Sequence, residues 1–288
     1  MDQGGLMAIN PNAVGSTSAP TESSWTTKDS LLYAVGIGGG TNDLAFTTEN
    51  SMNVDQRAYP TQAVVLGDAS GAFANIGSFN PAMLVHGEQA IVLHRELPVE
   101  GTVVTVGEVT AVWDKGSGAV VEVTSRSSTA DGEALFVKVM SVFIRSEGGF
   151  DGERGPSGPR NAAPEGVAPD EEVTLATRED QALIYRLSGD RNPLHSDPGF
   201  AQLAGFDRPI LHGLCTYGFT GRALLDRLCD GDPSRFRSME GRFTSPVFPG
   251  EPLTIRMWRS GADAALFTTH GGDDRVVLDA GRVSFDPA

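Results

Sequence analysis

Three pairs of short passages in this 288-residue chain read alike, and that likeness constrains the fold more than any single element does. Leu84-Val85-His86-Gly87 in the first half is echoed by Ile210-Leu211-His212-Gly213 in the second, and Leu66-Gly67-Asp68 by Ser188-Gly189-Asp190. Leu97-Pro98-Val99-Glu100-Gly101 likewise resembles Pro246-Val247-Phe248-Pro249-Gly250-Glu251, each at the entry to a set of strands. In each half the pattern predicts a helix after the His-Gly pair and several strands after the helix. A chain that repeats one plan of helix plus antiparallel sheet belongs to the α+β class.

The strands of the first half are the plainest part of the pattern. Thr102 to Val112, Ala119 to Thr129 and Ala134 to Ile144 are Val-rich, and Gly116-Ser117-Gly118 and Asp131-Gly132 divide them with hairpin chemistry. In the second half, strands are expected over about Arg237 to Phe243, Leu253 to Trp258, Ala264 to Thr269 and Val276 to Phe285. His212 to Cys229 carries Leu214, Tyr217, Leu224, Leu225 and Leu228 on one apolar face and predicts a helix. A first helix is expected from Thr27 to Val35, capped by Thr26 or Thr27 and stopped by Gly36. The cluster Gly36, Gly38, Gly39 and Gly40 closes that helix rather than opening one, which argues for a turn and against a phosphate loop.

Composition divides the chain further. Residues 1–23 are rich in Gly, Ser, Thr, Asn and Pro and are expected to be a disordered tail, with Met7 as an alternative start. Residues 24–146 form the first repeat, 147–171 a Gly- and Pro-rich exposed linker, and 172–288 the second repeat. The net charge of −15 makes nucleic acid and anionic membranes poor partners. No apolar run approaches the roughly 20 residues that span a bilayer, and no secretory leader is evident. Cys215 and Cys229 fall in one expected helix, too far apart along it to bridge, which fits a reducing compartment and predicts the cytoplasm. No metal-ligand spacing is present.

The residues able to do chemistry lie within one short segment. Asp190, Asn192 and His195 sit among the turn formers Gly189, Asn192 and Pro193, where a loop exposes side chains on a rigid frame. A carboxylate and an imidazole can share one water and pass its proton near neutral pH. The same residues also suit a plain turn, with Asp190 and Asn192 capping backbone groups and His195 at the surface. The internal copy weighs against that bland reading: it keeps Gly67-Asp68 but sets Ser70 opposite Asn192 and Phe73 opposite His195. One half then performs chemistry while the other supplies an apolar binding surface. His94 and His270 read as surface histidines.

Tyr185-Arg186-Leu187-Ser188-Gly189-Asp190-Arg191-Asn192-Pro193-Leu194-His195-Ser196-Asp197-Pro198 resembles the hydratase-2 motif of the MaoC-like family. Ile210 to Cys215 and Phe243 to Gly250 are similar to it as well, and Asp29 to Gly40, Tyr59-Pro60-Thr61 and Leu84 to Glu88 resemble the non-catalytic repeat of its long members. The resemblance implies a double hot-dog fold, two antiparallel sheets each wrapped round a central helix. It also implies (3R)-specific hydration of trans-2-enoyl-CoA, or the reverse dehydration, with no cofactor beyond the CoA of the substrate. Asp190 and His195 would be the acid/base pair, Asn192 an assistant, and the Gly213 N–H the oxyanion donor, while His86, Gly87, Lys115 and Phe243 would contact the CoA ester. A homodimer is expected by the same analogy. Kept beside this reading are a 3-hydroxyacyl carrier-protein dehydratase, a sterol side-chain enoyl-CoA hydratase, a hot-dog thioesterase and a non-catalytic thioester-binding protein.

Overall fold

The computed structural model describes residues 9–158 and 160–288. Among them, ten strands pair antiparallel in one continuous sheet. In chain order these are β1 (Thr21–Trp25), β2 (Leu84–Leu93), β3 (Gly101–Asp114), β4 (Gly118–Ser128), β5 (Ala134–Arg145), β6 (Glu171–Ala176), β7 (Phe236–Phe243), β8 (Pro252–Arg259), β9 (Ala264–His270) and β10 (Val276–Phe285). The helices are α1 (Thr27–Gly36), α2 (Leu44–Thr47), α3 (Gln181–Tyr185), α4 (Pro198–Leu203) and α5 (Gly213–Leu228).

The sheet order β1-β3-β4-β5-β2-β7-β10-β9-β8-β6 is a palindrome of the two halves. They meet where β2 pairs with β7, and Ile91 faces Met239 at the join. The fold is a double hot-dog: the duplication seen in the sequence is a pseudo-twofold in space. In β3 side chains alternate between buried and half-exposed, with Val103, Thr105, Gly107 and Val109 facing inward. The alternation changes phase at the register shift between Val109 and Ala111, the effect of an extra residue in one strand.

The core centres on α5, which is buried on almost every side. Leu224, Leu225 and Leu228 pack into a cluster that spans both halves, from Trp25, Ile37 and Phe136 to Phe267 and Leu278. Two buried polar groups of α5 have partners: Tyr217 Oη donates to Met239 O at 2.6 Å, and Thr220 Oγ1 lies 2.9 Å from Thr216 O and 2.7 Å from Thr269 Oγ1. Gly218 and Gly221 let neighbours close in. A Cβ at Gly218 would sit 2.3 Å from Ile37 Cγ2, and one at Gly221 2.3 Å from Thr61 Cγ2.

Among the described residues only the second half has this long central helix, which corrects the expectation of a helix after His86-Gly87. That pair lies in β2, the strand at the centre of the sheet. Val85, Ile91, Val92 and Leu93 suit a strand held between two neighbours, and Gly87 falls at a register shift between His86 and Glu88. Besides the shorter α1 and α2, the first half is covered by 3-10 turns, Pro60–Val65 and Ser70–Ile76.

The tail expectation changes too. Residues 9–20 are placed against the sheet: Ile9 and Ala13 are buried with Ile76, Val109 and Val121 in a second cluster, and Thr17 bridges to Glu108. Met1 and Met7 lie outside the described residues. The linker is irregular but tied down, by Trp258 Nε1 to Val167 O at 3.0 Å and Asn161 Nδ2 to Glu240 Oε1 at 2.9 Å. Cys215 and Cys229 are free and buried, the second just past the end of α5.

Candidate active site

The loop that joins α3 to α4 is built by its own side chains. Gly189, at φ 136°, turns the chain in a conformation closed to residues with a Cβ. Asp190 Oδ1 then accepts from Asn192 N at 3.0 Å, and Asn192 Oδ1 from Leu194 N at 3.0 Å. Pro193 opens a 3-10 turn that carries His195. Asp190 and Asn192 are thus turn formers, as the bland reading had it, and the turn they form aims His195 inward, where it is 9% exposed. Asp190 and Asn192 themselves remain exposed.

His195 Nδ1 lies 2.9 Å from the Ile210 carbonyl. A carbonyl only accepts, so Nδ1 carries the proton and Nε2 presents a lone pair. Burial lowers the His195 pKa, against the opposing pull of Ile210 O and Asp190, so the ring is a neutral base at pH 7.

His212 completes the cluster, and the sequence reading used it only as a marker of the repeat. Its ring stacks on His195 with centroids 3.7 Å apart and planes 28° from parallel. Its Nε2 lies 3.2 Å from the Asp190 main-chain oxygen. Burial first, then the neighbouring His195, depresses its pKa to about 4. Asp190, His195 and His212 offer donor atoms within 4.8 Å of one another, a spacing that invites a metal. Two nearly parallel rings, however, cannot both direct an in-plane lone pair at one ion about 2 Å away. The cluster suits proton transfer better than metal binding.

His212 is also the N-cap residue of α5, and its side chain makes no capping hydrogen bond. The first N–H groups of a helix lack intrahelical partners and carry the positive end of its dipole. Gly213, at that end, faces Phe243, whose ring would lie 3.3 Å from a Cβ at this position.

The first half approaches from the other side. His86 meets Phe243 edge-on with centroids 5.0 Å apart, and burial lowers its pKa to about 4. Gly87, Lys115 and Phe243 line a cleft of about 370 Å³ with Trp113, Arg160 and Arg242. Lys115 Nζ donates to the main-chain oxygens of Arg154 and Pro156, so the tip of the β3–β4 hairpin holds the linker in place. The sequence-predicted residues therefore form two groups joined at Phe243: Asp190, His195 and Gly213 on one side, Gly87 and Lys115 in the cleft on the other. His270, expected at the surface, is instead 8% exposed at the end of β9, held by Asp274 O and Thr268 Oγ1. His94 is exposed, as expected.

The fold is a double hot-dog, and the comparisons with known proteins show the family to which it belongs. Residues 160–280 match the MaoC like domain and residues 23–146 the MFE-2 hydratase 2 N-terminal domain. The chain is 50% identical over 290 residues to 3-hydroxyacyl-thioester dehydratase Y of Mycobacterium tuberculosis, covering 97% of this chain and 99% of that one. It is 42% identical over 278 residues to a probable enoyl-CoA hydratase 2 of Dictyostelium discoideum, covering 93% of each. A crystal structure of a MaoC-like dehydratase from Phytophthora capsici superposes with a TM-score of 0.86 at 33% identity, over 97% of this chain and 98% of that one. The chain belongs to the MaoC-like, hydratase-2 family.

Proposed function

We infer that the protein is a hydro-lyase that adds water to trans-2-enoyl-CoA to give (3R)-3-hydroxyacyl-CoA, or runs the reverse dehydration. The observation that carries this reading is a carboxylate and a neutral imidazole converging beside the open N-terminus of α5. In this reading one water is held between Asp190 and the lone pair of His195 Nε2. Its hydroxyl adds to Cβ and its proton passes through the pair to Cα, on the same face of the double bond. The electrons of the C=C bond move onto the thioester oxygen, and the Gly213 N–H stabilises that charge. Asn192 holds the turn that sets the Asp190 carboxylate. No further cofactor enters the balance.

CoA is favoured over a carrier protein as the handle because Lys115, Arg160 and Arg242 line the cleft of a protein whose net charge is −15. Local cations in an acidic surface suit the phosphates of CoA. Among the described residues no helix is long and apolar enough to cross a membrane. The two buried free thiols fit a reducing compartment, the cytoplasm in this proposal, although relatives from plants and animals are named as peroxisomal. A homodimer is proposed on family likeness alone.

The test is an absorbance assay with trans-2-enoyl-CoA esters of graded chain length, followed by chiral analysis of the product. The expected outcome is loss of the conjugated enoyl signal and a (3R) alcohol. Release of free CoA would indicate thioester hydrolysis instead, and no turnover of any ester would reject the reading.

A further inference from the structure

We propose that His212 is a positioning residue of this site: a neutral, Nε2-protonated imidazole that joins the Asp190 loop, the His195 ring and the oxyanion end of α5 into one rigid unit. The proposal rests on the hydratase reading above and assigns a role to a residue outside the acid/base pair.

Four contacts meet at this one residue, three of them through its side chain. Nε2 lies 3.2 Å from the Asp190 carbonyl, which can only accept, so Nε2 must donate. The ring lies against His195 at 3.7 Å. The Tyr185 ring meets the His212 ring at a tilt, with centroids 5.0 Å apart. The His212 main-chain oxygen accepts from Cys215 N at 3.0 Å and Thr216 N at 3.2 Å, which starts α5 one residue before Gly213. The side chain is 1% exposed and its Nδ1 is buried without a partner. An unpartnered buried nitrogen is cheaper to keep as a bare lone pair than as an N–H, which again puts the proton on Nε2.

The two stacked rings are therefore in opposite tautomers, His195 protonated at Nδ1 and His212 at Nε2. Each is fixed by a main-chain carbonyl, Ile210 O for the first and Asp190 O for the second. Charge arguments agree with neutrality. The groups facing His212 are His195, Asp190, Tyr185 and Arg186, and the positive end of the α5 dipole lies beside it. A cation at His212 would also reduce the basicity of the His195 ring stacked on it. What His212 supplies is registration. A base, a carboxylate and an oxyanion donor from separate segments must stay within roughly 0.5 Å of one geometry, and locked second residues achieve this.

The experiment has two arms on the full-length protein. In the first, histidine-selective 15N labelling reads the tautomers of the wild type without substrate, with His212→Asn to assign the signal. The expected result is a neutral Nε2–H imidazole at His212 and a neutral Nδ1–H imidazole at His195 at pH 7. A protonated or Nδ1–H His212 overturns the proposal. In the second arm, His212→Phe keeps a stacked ring and loses the donor, while His212→Asn keeps an N–H donor and loses the ring. His212→Phe should lower kcat by about 10- to 100-fold, the scale of a misplacement of about 1 Å, with KM changed by less than about 3-fold. His212→Asn should recover part of that loss. A packing role alone would lower the thermal midpoint mainly in His212→Asn, which loses the ring, and move kcat in neither; kcat unchanged in His212→Phe overturns the proposal. If His212→Phe fails to fold, the tautomer arm decides. Failure of the hydratase reading looks different: wild-type protein without turnover, its tautomers still readable.

Discussion

The turns at Gly67-Asp68 and Gly189-Asp190 begin alike and end differently. In both, a glycine at positive φ precedes an aspartate whose Oδ1 accepts the N–H two residues on, from Ser70 at 2.8 Å and from Asn192 at 3.0 Å. After Asp190 the chain reaches His195 and then the N-terminus of a 16-residue helix. After Asp68 it reaches Phe73, which packs on the second apolar cluster, and then a strand. The carbonyls of Leu66 and Gly67 are taken by the Lys138 ammonium, whose pKa burial lowers to about 8. The Asp68 turn borders a cleft of about 270 Å³ with Ser23, Ser24 and Trp25, in which no imidazole takes part. The aspartate turn is thus a folding device shared by both repeats, and chemistry depends on what the turn presents next to it.

The largest effects should fall on one side of this comparison only. Asp190→Asn and His195→Gln are each expected to lower kcat by at least about 100-fold, the scale for losing an acid/base group. Asp68→Asn, made in the matching turn, should leave kcat within about 2-fold, because no proton is transferred there. Steady-state rates check both, and an equal loss at Asp68 with the fold intact would break the asymmetry. The pH profile sharpens it. Burial lowers the His195 pKa, so the active neutral base persists below the ordinary histidine value of about 6.5, and kcat/KM should fall only as the pH drops through that lowered value.

Stability offers a second contrast, between a helix and the turns that stand in for one. Leu224 is fully buried in α5 amid the cluster shared by both halves, and Ile76 is fully buried at the end of the 3-10 turn Ser70–Ile76 of the first half. Leu224→Ala should cost about 2–5 kcal/mol and the milder Ile76→Val about 0.5–1.5 kcal/mol in denaturant unfolding. A single unfolding transition in both variants is expected, since the sheet runs unbroken through β2 and β7. Separate transitions for the two halves would show that the palindrome joins two independent units.

How far the sequence could be read follows from where the signals are local. The strands of each repeat were legible because Val-rich runs and Gly turns act within a hairpin: Ala134 to Ile144 was expected and β5 covers Ala134–Arg145. Helix α5 was legible from the spacing of Leu224, Leu225 and Leu228. The strand β2 was not, because Leu84-Val85-His86-Gly87 copies the letters that precede α5, and only pairing with β5 and β7 makes it extended. Residues 9–20 were misread for a related reason: their polar composition hides Ile9 and Ala13, whose burial depends on distant Ile76 and Val109. Of the site, the Asp190–His195 segment was visible because its residues are adjacent. His212 was seen as a letter in a repeat but not as a contact, since its stacking on His195 is set by the return of the chain through Ile210.

The smallest predicted effect concerns the first half's own contribution. Lys115 is half-buried at the hairpin tip, lines the cleft with Arg160 and Arg242, and donates to two linker carbonyls. If its charge meets a phosphate of CoA, Lys115→Ala should raise KM for the ester by about 2- to 5-fold, the size of an exposed ion pair, and leave kcat unchanged. Salt separates this from a purely structural clamp. In the wild type KM should climb between low and physiological ionic strength, because exposed charges more than about 10 Å apart are screened at 0.1 M, and the climb should be shallower in the variant. A KM that is raised but equally salt-sensitive would assign Lys115 to holding the linker, and would leave Arg160 of the linker and Arg242 of β7, which pairs with Glu88, as the cations of the cleft that meet the handle of the substrate.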